Sequence, residues 1–259
     1  MNSHESRKPI RKTTVALAIS FVLLSAFLIT VCLCHSRILE YYTAHVKYKV
    51  YGGMTSELKD SELFEDMQSG RSFCFLGDSI TCGTETNGDQ WFRPLMPYIK
   101  GEVSMTAHGG MMVSHLLRFK ESIPAADVYV IAIGFNDIVF RDNENAAHSA
   151  DEFTGSCNLL AEEIRNISPE AKIYFISPWL FIDQDESTIC TGIQYRDALR
   201  IWCSDAGYIY IDPNPYIIAV FDKDGVSEYM LDNFHPNSPK GIGLYSYAVL
   251  KAARNGKCT

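Results

Sequence analysis

Beyond residue 70 the chain alternates between two hydrophobic patterns. Segments at 72–76, 103–107, 128–133, 172–177 and 208–211 are strand candidates, the first an apolar run with the continuity of a strand buried on both faces. Between and after them lie segments long enough for helices, clearest at 151–167, 192–205 and 239–254. In the first of these, Phe153, Leu159, Leu160 and Ile164 mark an apolar stripe, with Glu162, Glu163 and Arg165 outside it. Strands alternating with helices predict a parallel, doubly wound α/β sheet. Right-handed crossovers then gather the carboxyl ends of all the strands along one edge, so polar residues that directly follow strands are the candidates for chemistry.

The first 70 residues are patterned differently. Residues 14–34 carry no charge and are mostly Val, Ala, Leu, Ile and Phe, a run matched to roughly 30 Å of hydrocarbon. It is expected to be a transmembrane anchor. Arg7, Lys8, Arg11 and Lys12 precede it, so the tail at 1–13 is expected in the cytoplasm and the remainder outside the cytoplasmic membrane. A cleaved signal peptide fits less well, because the apolar run is long and no small-x-small site follows it before His35 and Arg37. Val31 before Cys32 likewise disfavours a lipoprotein site. Residues 35–70 read as a juxtamembrane stalk, Tyr-, Lys- and His-rich up to Gly52-Gly53, followed by an amphipathic acidic helix at 56–68. The compact domain is then expected at 71–259.

A formal net charge of −8 with no basic cluster outside the N-terminus excludes nucleic acid as a partner. Of eight cysteines, Cys32 and Cys34 fall in the apolar run. Cys74, Cys82, Cys157, Cys190, Cys203 and Cys258 follow it. An exported domain allows disulfides among them without the sequence choosing a pairing, although Cys74 reads as a core residue. No spacing suits a metal site.

Four groups follow strands or precede the last helix. Gly77-Asp78-Ser79-Ile80 follows the first strand and places a hydroxyl where a helix can begin. Gly109-Gly110 follows the second strand and Gly134-Phe135-Asn136-Asp137 the third. Asp232-Asn233-Phe234-His235 lies just ahead of the final helix. A serine needs a base to become a nucleophile, which His235 can be, with Asp232 orienting the ring. A tetrahedral oxyanion needs donors, which the Ser79 and Gly110 N–H groups and the Asn136 amide can supply. His108, His115 and His148 are expected to be structural or solvent-facing.

In these four blocks, taken in order, the chain resembles the SGNH hydrolases, the GDSL-type esterases and lipases. The resemblance runs from about Arg71 to the C-terminus. It implies a flavodoxin-like three-layer α/β/α sandwich around a five-stranded parallel sheet, here preceded by the transmembrane helix. It also implies Ser79, Asp232 and His235 as triad, Ser79, Gly110 and Asn136 as oxyanion hole, and no metal or organic cofactor. Two departures stand out. Ile80 replaces the family's Leu, and Met111 and Met112 occupy positions often small and polar, which bears on the acyl pocket. The expectation is a membrane-anchored, extracytoplasmic serine esterase acting on acyl, foremost acetyl, esters of a glycan or small molecule. An acyltransferase using the same triad and a non-catalytic surface module are the alternatives.

Overall fold

The computed structural model describes residues 10–42, 47, 50–179 and 184–255. Arg7 and Lys8 of the basic tail, Val46 of the stalk, and Cys258 lie outside them. The chain divides after Tyr42 into two units. In the first, helix α1 (Ile10–Tyr42) is 33 residues long, and Val15, Leu17, Phe21, Leu24 and Phe27 along it are exposed. Among the described residues, no helix is long and apolar enough to cross a membrane.

The second unit is built on five parallel strands, β1 (Phe73–Gly77), β2 (Val103–Ala107), β3 (Val128–Ala132), β4 (Lys172–Ile176) and β5 (Ile209–Ile211), in the order β2-β1-β3-β4-β5. This is the flavodoxin-like order, and its switch point lies at the β1–β3 pair. All five strands fall at the strand candidates, within two residues at either end. Alternate side chains of β1 feed opposite layers. Phe73 and Phe75 join one core cluster, and Cys74 and Leu76 the other.

The first layer holds α2 (Ser56–Lys59), α3 (Glu62–Gln68), α9 (Asn214–Asp224) and α10 (Lys240–Asn255). They contribute Leu58, Leu63, Met67, Ile217, Val220, Ile242 and Val249. The second holds α5 (Val113–Arg118), α7 (Ala150–Ile167) and α8 (Glu186–Ala206), with Val113, Leu116, Phe153, Leu160, Ile164, Tyr195 and Leu199 buried. Cys74, Cys157 and Cys203 are buried here as free thiols, and burial pushes the Cys74 thiol up to about 11. Cys32, Cys82 and Cys190 are free as well.

Several elements differ from the sequence expectation for identifiable reasons. The leading helix is broken into two, because Ser61 caps a new start by accepting the Phe64 N–H at 3.2 Å. Val50, Leu58, Leu63 and Met67 are buried in the main core, so the packed unit reaches back past Arg71 into the segment read as stalk and leading helix. Helix α8 starts six residues before Gly192, where Asp185 accepts the Thr188 N–H. Helix α9 is unforeseen. Its prolines lie at its very start, where proline is tolerated, and Ile217, Val220 and Phe221 form its buried stripe. Leu159 does not belong to the stripe of α7, being 53% exposed, while Cys157 and Ala161 do.

Leu63→Ala is therefore expected to lower unfolding free energy by about 2–5 kcal/mol through a core cavity. Leu159→Ala should stay within about 0.5 kcal/mol of wild type. Urea denaturation of the two variants compares them directly.

Candidate active site

Ser79 is the first residue of the short helix α4 (Ser79–Cys82). Asp78 caps that helix, its Oδ1 accepting the Ile80 N–H at 3.1 Å. The turn is close against its neighbours. A Cβ at Gly77 would overlap the Thr81 hydroxyl and the carbonyl oxygen of Ala132 on β3. Only glycine lets β1 pass into α4 at this depth, which leaves Ser79 half-buried at the carboxyl edge of the sheet.

His235 reaches Ser79 across 156 residues of chain, with its Nε2 3.0 Å from Oγ. Its Nδ1 lies 3.0 Å from Asp232 Oδ2 and 3.2 Å from Oδ1. Both neighbours of Nδ1 are carboxylate oxygens, so the ring proton belongs there and the Nε2 lone pair faces the serine. Burial works to raise the Asp232 pKa. Hydrogen bonds from His235 and from the Phe234 and His235 backbone N–H groups, the latter two at 2.7 Å, outweigh it and hold the carboxyl below its ordinary range. The Asp232 side chain is 45% exposed and that of His235 18%, an arrangement that keeps a charge beside a ring about to become cationic.

Gly110 and Gly109 are exposed in a turn closed by the Met111 N–H on the His108 carbonyl at 3.3 Å. Gly110 has φ +71°, the conformation a type II turn demands at its third position. Its N–H and that of Ser79 meet no acceptor among the described residues. Asn136, in helix α6 (Phe135–Val139), is buried and donates from Nδ2 to the Met111 carbonyl at 2.9 Å. One amide hydrogen thus holds the glycine turn, leaving the second for another partner. Met111 and Met112 are buried, Met111 in the second core cluster.

His115 accepts the Met112 N–H at 3.1 Å through Nδ1, and His148 Nδ1 meets the Arg141 carbonyl at 2.9 Å. Both are occupied with backbone. Two acids of the same blocks, given no role by the sequence, are also buried here. Asp78 lies among Ile80, Phe135, Trp179 and Tyr245, and burial pushes its carboxyl up to about 7. Asp137 is wholly buried and pushed by burial up to about 6.

A family model for the GDSL-like lipase/acylhydrolase family matches residues 75–239. The chain belongs to that family. It is a serine hydrolase. Among solved structures, it is similar to a protein of Parabacteroides merdae described as a GDSL-like lipase (TM-score 0.61, 18% identity, covering 74% of this chain and 98% of that one). It is also similar to Axe2, an acetylxylan esterase of Geobacillus stearothermophilus (TM-score 0.60, 19% identity, 73% and 96%), and to a variant of Axe2 described as an acetyl-xylooligosaccharide esterase (TM-score 0.62, 19% identity, 73% and 96%). At these identities the likeness is one of fold. No curated protein sequence matches the chain.

Buried acids raised above their unfolded pKa of about 3.9 bind more protons folded than unfolded between about pH 4 and pH 7. Their contribution to stability is complete below that window and is lost as pH rises through it. In thermal melts from pH 4 to 8, Asp78→Asn should therefore flatten the decline in Tm relative to wild type.

Proposed function

We propose that the chain is a membrane-anchored, extracytoplasmic serine esterase that removes acyl groups, foremost acetyl, from a glycan or a small molecule. The observation that carries the catalytic reading is the continuous hydrogen-bond line from Ser79 Oγ through the His235 ring to Asp232. His235 Nε2 takes the hydroxyl proton as Oγ adds to the ester carbonyl, and Asp232 stabilises the resulting imidazolium. The tetrahedral oxyanion is held by the N–H groups of Ser79 and Gly110 and by Asn136. Collapse expels the alcohol, which takes the proton back from His235. Water, activated by the same base, then releases the acid from the acyl-enzyme.

Acetyl on a carbohydrate is favoured because Axe2 acts on acetylated xylan or its oligosaccharides by description. Three Axe2 variants described as catalytic mutants alter a serine, an aspartate and a histidine, the last two spaced by three positions as Asp232 and His235 are. The anchor rests on the uncharged run at 14–34, on the basic residues before it, and on the exposed apolar side chains of α1.

Ser79→Ala and His235→Ala should each lower turnover of an acetyl ester by a factor on the order of a thousand or more. A fluorophosphonate probe should label wild type at Ser79 alone. Full turnover in Ser79→Ala would sink the reading, and an acylated sugar appearing in the presence of a carbohydrate acceptor would reassign the enzyme as a transferase. Added protease should digest the catalytic domain in intact cells. A protected domain reverses the topology.

A further inference from the structure

The geometry points to Asp137 as a positioning residue for the oxyanion hole, holding the Gly110 turn in register with Ser79; this rests on the esterase reading above. Asp137 follows Asn136 in α6 and is completely buried, yet it faces backbone N–H groups from two distant segments. Its Oδ2 accepts the Val113 N–H at 3.2 Å and its Oδ1 the Ala147 N–H at 3.1 Å. Val113 is the first residue of α5, three positions after Gly110, and an N–H there has no acceptor within its own helix. The residue preceding α5 is Met112, whose thioether is a poor acceptor. His115 Nδ1 accepts the Met112 N–H locally, and Asp137 supplies from α6 the acceptor for the Val113 N–H.

Met111 and Val113 are therefore gripped from the same short helix, one by its carbonyl to Asn136 and one by its N–H to Asp137. Gly110 is the next residue along. The other end of the grip is fixed as well, because the Ala147 carbonyl accepts the Tyr195 hydroxyl from α8 at 2.6 Å, and Tyr195 stacks on Phe153 with ring centroids 5.2 Å apart. A buried carboxylate is a costly way to fill space. It is an effective way to hold two amides in place, since each bond is charge-assisted. Oxyanion donors act through their position, and a small misplacement is expensive in rate.

The test uses the full chain, an acetyl ester and two single variants. Asp137→Asn turns one acceptor oxygen into an NH₂ facing an N–H. Val113→Pro deletes the donor itself at a helix position that accepts proline, after a residue already extended at φ −107°, ψ 165°. Each should lower kcat on the order of 10- to 100-fold, leave KM within about twofold, and keep the melting transition cooperative. The double variant should lose no more than the worse single one, since both break the same bond. A raised KM at unchanged kcat, additive losses, or full kcat in Val113→Pro would overturn the role. Wild-type turnover that disappears in Ser79→Ala stands or falls separately, so an unaffected Val113→Pro removes the Asp137 assignment and leaves the esterase reading in place.

Discussion

Gly77 cannot carry a side chain, and the site is arranged around that crowding. Thr81 comes back over the turn from within α4, and the Ala132 carbonyl approaches from the neighbouring strand. The nucleophile helix is thereby pressed against the junction of β1 and β3, where the strand order reverses. Gly110 enters from beyond β2 and Asn136 from beyond β3. Three crossovers thus place their first residues along the same carboxyl edge of the sheet, because the strands are parallel and in register.

The strands were legible because β1 and β3 are buried on both faces, so their sequences are unbroken apolar runs with no competing period. The site was legible as a set of residues that follow strands, and the order of its blocks pointed to the family. Other features depend on tertiary context that no local pattern records. Leu159 has the right spacing for the stripe of α7 but sits on its exposed side, whereas Cys157 is wholly buried. Pro213 and Pro215 look like turn residues and instead open α9. Leu58 and Leu63 fall in the segment read as an amphipathic acidic helix at 56–68, and nothing local announces that they join the main core cluster with α10.

The acids divide along the same line. Asp232 works within four residues of His235, so its partnership could be proposed from spacing. Asp137 joins segments 24 and 10 residues away, and its neighbours in sequence suggest only a helix start. Electrostatics separates them further. Asp232 is half open to solvent and held below the ordinary carboxyl range by its donors, while burial raises both Asp78 and Asp137 above it. The site therefore combines a half-exposed carboxyl beside the His235 ring with buried carboxyls that accept backbone N–H groups.

The loop bearing His235 is closed on itself. Leu231 N–H donates to the His235 carbonyl at 2.8 Å, Met230 and Pro236 form an antiparallel bridge, and Asp232 holds both the ring and the peptide of His235. His235 and Asp232 are consequently held to each other within one closed loop. Any displacement of His235 from Ser79 carries Asp232 along, so the ring keeps its tautomer while out of reach of the hydroxyl.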